Sequence, residues 1–149
     1  GEPDRQAKVF TGVAQQLGTL FGYLGPVSFF ECGHPLTLVK RRVIGSARFY
    51  DHRPQEGSVA IGYTFLARRC WGGRYNHEMK RLLLAYAFGF VDRVWFHIGT
   101  RNLRSRTAIG RIGGVHSHDV IADPAFGDKD MAYYFIDRRS ARERGELRA

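Results

Sequence analysis

Residues 60–78 carry a basic, glycine-containing turn between a strand pattern and a helix pattern. The turn contains Gly72 and Gly73, with Arg69 and Arg74 beside them. A helix that starts directly after such a turn presents free backbone N–H groups and the positive end of its dipole. This arrangement binds anions, phosphate groups in particular. The spacing matches neither a P-loop nor a dinucleotide-binding fingerprint, so the turn alone also fits a plain flexible connection.

Hydrophobic periodicity predicts the elements that position this turn. A helix follows it, and Lys80 and Arg81 of this helix are predicted to face solvent. The face predicted to be buried contains Met79, Leu82, Leu83, Tyr86 and Phe90. Arg93–Ile98 is β-rich and predicts a short strand buried on both faces. Asn102 is placed to cap a second helix, which ends at Gly113–Gly114 because glycine readily adopts a left-handed conformation.

In this order and spacing the chain resembles the GNAT superfamily of acetyl-CoA-dependent N-acetyltransferases. The branch it most resembles is the RimJ/RimL-like one, the ribosomal-protein N-terminal acetyltransferases. The resemblance rests on IGYTFLARRCWGGRYNHEMK at 61–80 and NLRSRTAIGRIGG at 102–114, supported by VIGSARFYD at 43–51. It implies an α/β (α+β) fold in which helices flank a mixed, mostly antiparallel central sheet.

The resemblance also implies how acetyl-CoA is held. The family's pyrophosphate loop and the helical turn after it correspond to Arg69, Trp71, Gly72, Gly73, Arg74, Tyr75 and Asn76. Gly72 matches the first glycine of the loop pattern, whereas Arg74 stands at the second glycine position, where its guanidinium can pair with a diphosphate. The preceding strand is implied to leave its neighbour and to offer backbone groups to the pantetheine arm and thioester carbonyl at Phe65, Leu66 and Ala67.

Two residues at the start of the second helix complete the implied site. Asn102 and Ser105 match the family's Asn-x-x-Ser motif. By this resemblance, Asn102 contacts the pantetheine arm, and Ser105 lies near the sulfur and donates a hydrogen bond to the leaving thiolate. Helix capping is the alternative explanation for both residues.

The group that takes a proton from the attacking amine stays open at this stage. A base of this kind is a carboxylate or an imidazole within one water molecule of the amine. Six residues qualify by type and position, namely Asp51, His52, Glu56, His97, His116 and His118. Cys70 is an alternative acyl carrier, because the neighbouring arginines would favour its thiolate.

The N-terminal region departs from the family pattern. Residues 5–21 predict one helix, and Pro26–Glu31 with Leu36–Lys40 predict a hairpin that turns at Gly33. The family normally has a further strand and two helices before its hairpin, and the 42 residues before Val43 are too few for them. We therefore predict an acceptor site that is open or is completed by a second subunit, as in a homodimer.

Beyond the second helix, the pattern predicts strands at Val115–Ile121 and Ala132–Asp137, joined by a loop over Ala122–Asp130. The chain from 138 onward reads as a basic tail, either a solvated helix or a frayed end. We predict a single domain over 1–149, with a shortened N-terminal part at 1–42.

Composition narrows the class of protein. A chain of 149 residues with 44% hydrophobic residues fits one folded domain. The net charge of +9 suits an anionic cofactor and leaves contact with nucleic acid open. Cys32 and Cys70 show no metal-binding or redox spacing, which predicts no metal and favours a reducing cytoplasm, and no apolar run predicts a membrane span.

The family resemblance, with which the composition agrees, implies an enzyme that transfers the acetyl group of acetyl-CoA to a primary amine by direct attack in a ternary complex. The acceptor would be a protein N-terminus or a small amine. The alternative is a non-catalytic acyl-CoA-binding or RNA-binding module on the same scaffold.

Overall fold

The computed structural model describes residues 26–31, 42–71, 75–145 and 147. Its strands are β1 (Pro26–Glu31), β2 (Arg42–Arg53), β3 (Ser58–Leu66), β4 (Arg93–Gly99), β5 (Val115–Asp123) and β6 (Lys129–Asp137). They form one sheet in the order β1-β2-β3-β4-β6-β5. All neighbours pair antiparallel except β3 and β4, which run parallel. The predicted mixed, mostly antiparallel sheet is therefore confirmed.

Three helices, α1 (Tyr75–Ala87), α2 (Leu103–Arg111) and α3 (Arg138–Glu143), contribute to one hydrophobic core with the sheet. Along β4 the core side chains are Val94, Phe96 and Ile98, which alternate with half-buried residues. Since successive side chains of a strand point to opposite faces, the helices cover one face of the sheet. β4 is thus fully buried on that face and half-buried on the other, and the prediction of burial on both faces was only partly right.

The strand β3 leaves β4 part-way along its length. The two strands pair at three positions only, the last being Ala60 with Trp95. Just beyond, the register between β2 and β3 slips, and Tyr63 takes a positive φ of 51°. An extra residue of this kind bends a strand and increases its twist. We call the resulting gap, between 61–66 of β3 and 96–99 of β4, the strand notch.

The burial of Lys80 overturns one prediction. Lys80 is only 9% exposed, because it lies on the same face of α1 as Leu83, Leu84 and Ala87. Its Nζ donates a hydrogen bond to Thr64 Oγ1 at 3.2 Å and lies 5.4 Å from the centre of the Phe96 ring. Lys80 therefore spans the strand notch on the helix-covered face, from β3 to β4.

The remaining predicted elements differ mainly in extent. β1 is a strand, but its described partner is β2, and the predicted Leu36–Lys40 arm and the 5–21 helix lie outside the described residues. β5 and β6 extend into the predicted loop and shorten it, since Asp123 and Lys129 already pair. The basic tail is not fully solvated, because Ala141 of α3 is buried in the core.

Candidate active site

The segment predicted to meet the pantetheine arm lies along the β3 side of the strand notch. Phe65 pairs with Ser46 of β2 and its side chain is 57% exposed, while Leu66 and Ala67 are half-buried. The edge of β3 that faces β4 has no strand pairing over this part of the described structure. Backbone groups on such an edge are available to an amide-rich ligand.

Trp71 joins this segment to the second predicted one. Its indole Nε1 donates to the Leu66 carbonyl oxygen at 2.8 Å. The Arg104 guanidinium of α2 lies 4.1 Å from the centre of the indole ring, and that of Arg68 lies 5.5 Å away. These contacts bring the end of β3 next to the first turn of α2. The two stretches that the family resemblance singled out, 61–80 and 102–114, therefore meet at one end of the strand notch.

The anion-binding turn itself is only partly described. Gly72, Gly73 and Arg74 lie outside the described residues, and their predicted roles stay predictions. Tyr75 and Asn76 form the start of α1, and both are half-buried. Arg69, just before the turn, is exposed. Arg106 of α2 donates hydrogen bonds to Tyr134 Oη and to the Thr100 carbonyl oxygen, each at 2.9 Å.

Asn102 caps α2. Its side-chain oxygen accepts a hydrogen bond from the Ser105 backbone N–H at 3.2 Å, which satisfies one of the free donors in the first turn. The same contact fixes Ser105, a half-buried residue, at the start of the helix. The capping explanation is confirmed for Asn102, whose amide N–H₂ takes no part in that contact.

We expect Asn102→Ala to lower the free energy of unfolding by about 1 kcal/mol, because the cap is lost. Asn102→Asp keeps the oxygen acceptor and should restore most of that stability. Urea denaturation measures both variants, with Thr107→Ala on the exposed side of α2 as the control. An alanine variant as stable as the wild type would contradict the capping role.

Cys70 does not have the exposure that an acyl carrier needs. It is 3% exposed and belongs to the hydrophobic core, whereas Arg68 and Arg69 are exposed. The short helical turn over Arg68–Cys70 points the cysteine inward and the arginines outward. The acyl-carrier alternative does not fit this burial, because the cysteine lies on the side of the turn away from the exposed Arg68 and Arg69.

Five of the six candidate bases are not among the residues that form the strand notch, and each has a side-chain partner of its own. Asp51 and Glu56 both pair with Arg53 at the far end of the β2–β3 hairpin. His52 packs edge-on against Phe90, with ring centres 5.5 Å apart. On β5, the two histidines bond to their neighbours, His116 to Asp119 at 2.7 Å and His118 to Ser117 at 2.8 Å.

His97 is the candidate that lies in the strand notch. It follows the last β3–β4 pair by two positions and is on the face of the sheet opposite the helices. Its Nδ1 is 2.8 Å from the hydroxyl of Tyr50, a residue that sequence reasoning did not single out. A partner 47 positions away leaves no local sequence signal. Lys80 was missed as well, although its spacing to Leu83 and Leu84 carried a signal.

Two further properties concern the described residues as a whole. They contain no group of three or more His, Cys, Asp or Glu arranged to hold a metal ion. Within the same residues, every helix is too short or too polar to cross a bilayer.

The chain is similar to known proteins in both sequence and fold. A search of curated proteins gave no match. Among solved structures, one assigned as an acetyltransferase is 25% identical with a TM-score of 0.65, covering 88% of this chain and 65% of its own. An assigned acetyltransferase from T. thermophilus is also 25% identical, with a TM-score of 0.62 and coverage of 83% and 68%. This chain therefore spans less than two thirds of the first structure and slightly more of the second.

A more distant structure shares the fold alone. The F149A mutant of spermidine N-acetyltransferase SpeG from Vibrio cholerae is 14% identical, with a TM-score of 0.64 and coverage of 81% of this chain and 70% of that one. The sequence itself matches the acetyltransferase (GNAT) domain family over residues 30–115. That match covers more than half of the chain and includes the strand notch, α1 and α2. The chain belongs to the GNAT acetyltransferase family.

Proposed function

We propose that the protein is an acetyl-CoA-dependent N-acetyltransferase of the RimJ/RimL-like branch, which transfers an acetyl group to a primary amine. The observation that carries the proposal is the strand notch, where β3 leaves β4 beside the start of α1 and the capped start of α2. A notch with an unpaired backbone edge on one side and a helix N-terminus beside it suits a ligand that combines amides with a diphosphate.

The residues around the strand notch fit acetyl-CoA. The unpaired β3 edge, which ends at Leu66, and the following Ala67 would offer backbone N–H groups to the pantetheine arm, since both of their carbonyl oxygens accept hydrogen bonds within the chain. Positive charge for the diphosphate comes from the exposed Arg69 and Arg104 and from the dipole of α1. By family resemblance, Gly72, Gly73, Arg74, Tyr75 and Asn76 would line the diphosphate, and Asn102 the arm. The Trp71 ring, 46% exposed between two arginines, offers a flat surface at the end of the notch.

Bound acetyl-CoA supplies an acetyl group activated as a thioester. The chain's part is to hold the acceptor amine and that acetyl group together, so that the reaction proceeds within one complex and without an acyl-enzyme. A backbone N–H on the β3 edge would stabilise the negative charge that develops on the carbonyl oxygen. Ser105, held by Asn102 at the start of α2, would donate to the leaving sulfur.

For the acceptor we propose a primary amine, either a protein N-terminus or a small amine such as the spermidine named for the V. cholerae enzyme. The face of the sheet that carries Trp95, His97 and Tyr133 would receive it, since these side chains are only half-buried. A second subunit is a proposed source of further pocket residues, and light scattering would detect such a homodimer.

A thiol-release assay with acetyl-CoA tests this function, using spermidine and a short peptide with a free N-terminal alanine as acceptors. We expect amine-dependent release of CoA, together with an acceptor that is 42 mass units heavier, as its acetylation requires. Gly72→Asp should abolish release, because a carboxylate in the basic turn repels the diphosphate. Gly110→Asp adds the same charge at an open position of α2, and this variant should still release CoA. Binding of acetyl-CoA without release would instead support a non-catalytic acyl-CoA-binding module.

A further inference from the structure

We infer that Tyr50 and His97 form a proton relay at the base of the strand notch, which takes the proton from the acceptor amine during acetyl transfer. The inference rests on the proposed function and assigns a group to the one step that the sequence left open. Tyr50 would contact the amine, and His97 would accept the proton through it.

Tyr50 and His97 meet where β3 and β4 diverge. Tyr50 belongs to β2, yet its hydroxyl reaches across β3, where a Cβ placed on Gly62 would lie 3.1 Å from the hydroxyl oxygen. It then bonds to Nδ1 of His97 on β4 at 2.8 Å. Gly62 and His97 each lie two positions beyond the last β3–β4 pair, Ala60 with Trp95. The hydroxyl therefore lies between the diverging strands, at the closed end of the notch.

The absence of a side chain at Gly62 gives the hydroxyl this place. Any larger residue would bring its Cβ within 3.0 Å of the Tyr50 ring. Gly62 has no positive φ, so backbone conformation does not demand a glycine there. The space is needed by Tyr50 instead, and the glycine is what lets the phenol lie over β3.

Aromatic rings enclose the imidazole of His97. Its ring centre is 4.2 Å from that of Tyr133 and 5.2 Å from that of Phe126, and the Tyr50 ring is 5.5 Å away. Such surroundings disfavour the charged form, and burial lowers the pKa of His97. Burial also raises the pKa of Tyr50, so the phenol keeps its proton. At neutral pH the pair is a neutral imidazole next to a protonated phenol, which is the starting state that a relay requires.

The charged groups around His97 act on its pKa in both directions. Asp51 of β2 and Asp123 of β5 raise it, whereas Arg53 of β2 and His118 of β5 lower it. Their contributions are smaller than that of burial. Asp123 is itself held by the Tyr133 hydroxyl at 2.5 Å and the Ala125 backbone N–H at 3.1 Å, and Asp51 by Arg53. No carboxylate bonds directly to His97 among the described residues, so its neutral form persists.

Acetyl transfer moves one proton from the amine to the relay. The amine nitrogen forms a C–N bond to the acetyl carbon, and the C–S bond breaks, which releases the thiolate. One proton of the amine passes to Tyr50 Oη while the phenol proton passes to Nδ1 of His97, giving an imidazolium. The imidazolium then returns its proton to solvent, and the thiolate is protonated. No oxidant or other reactant is needed.

Three variants test the relay: His97→Gln, Tyr50→Phe and, as the control, His116→Gln. The assay is acetyl transfer to the better acceptor of spermidine and the alanine peptide, over pH 5.5 to 9. We expect His97→Gln to lower kcat by about 100-fold at pH 7.5 and Tyr50→Phe by about tenfold or more, each with little change in acetyl-CoA affinity. His116→Gln, whose ring bonds to Asp119 on β5, should keep kcat within about twofold.

The pH profile separates a relay from a structural role. The base must be neutral, so wild-type kcat/KM should fall as the pH drops through the lowered pKa of His97, below the usual value of about 6.5. This acidic limb of the pH profile should disappear in His97→Gln and shift in Tyr50→Phe. Nitrogen NMR of the wild-type His97 ring should give the same pKa as the limb.

Retention of the limb and of most of the activity in folded His97→Gln would overturn the relay while leaving the proposed function intact. Acetyl-CoA binding with no turnover of either amine would overturn both.

Discussion

Lys80→Met is expected to raise the free energy of unfolding at pH 7 by about 3 kcal/mol. Burial lowers the pKa of Lys80 from 10.5 to about 8, and each unit of pKa change is worth about 1.4 kcal/mol. Within the described residues, its Nζ contacts the Thr64 hydroxyl and the Phe96 ring, neither of which carries a charge to offset the lost hydration. Methionine keeps the length and apolar volume of the side chain without this penalty.

The pH dependence of stability identifies the cause. The folded pKa lies below the unfolded one, so the unfolded chain binds more protons between about pH 8 and 10.5. Wild-type stability should therefore gain from this group as the pH rises through that window. The advantage of Lys80→Met should be full below pH 8 and should vanish toward pH 10.5. Lys129→Met, at an exposed position, is the control. A variant that is less stable than the wild type at pH 7 would refute the burial penalty.

Gly45→Ala should destabilise the fold by about 2–3 kcal/mol and weaken acetyl-CoA binding at least tenfold. A Cβ at this position of β2 would lie 2.7 Å from the backbone oxygen of Phe65 and 3.4 Å from the sulfur of Met79. Backbone cannot rotate away as a side chain can, so β2 and β3 must separate where they pair, Gly45 with Leu66. The displaced segment is the one proposed to hold the pantetheine arm.

Urea denaturation and calorimetric titration with acetyl-CoA measure the two effects separately. The matched variant is Gly110→Ala, because a Cβ on Gly110 meets nothing within 4 Å and alanine favours the helix. That control should be as stable as the wild type or slightly more stable, with unchanged affinity. If Gly45→Ala behaved like the control, the close approach of β2 to the Phe65 carbonyl would have no energetic consequence.

Local patterns in the sequence predicted most of the elements but not their exact orientation. The pattern for α1 used Met79, Leu82 and Leu83, and this phase put Lys80 in solvent. The run Leu82–Leu84 also fits a second phase, Lys80, Leu83, Leu84 and Ala87, which is the buried one. Three consecutive leucines leave the buried face uncertain by about one residue, or 100° of rotation. A lysine at its border is assigned wrongly for that reason.

Part of the candidate site was also predictable from local sequence, and part was not. The cap at Asn102 was predictable because its acceptor and donor are three residues apart. The pairing of Tyr50 with His97 was not, because it depends on how three strands align and on the bulge at Tyr63. The bulge leaves no signal in the strand pattern, although the family resemblance implied that β3 leaves its neighbour. That implication agrees with the three-pair contact between β3 and β4.

Acetyl-CoA binding at the strand notch is the property on which the proposed function and the relay both depend. Calorimetric titration of acetyl-CoA into the wild type, Gly72→Asp and Gly110→Asp measures it directly. We expect a wild-type dissociation constant on the order of micromolar, at least about tenfold weaker binding by Gly72→Asp, and wild-type affinity in Gly110→Asp. No detectable binding by the folded wild type, or equal affinity in all three proteins, would contradict acetyl-CoA binding at the basic turn.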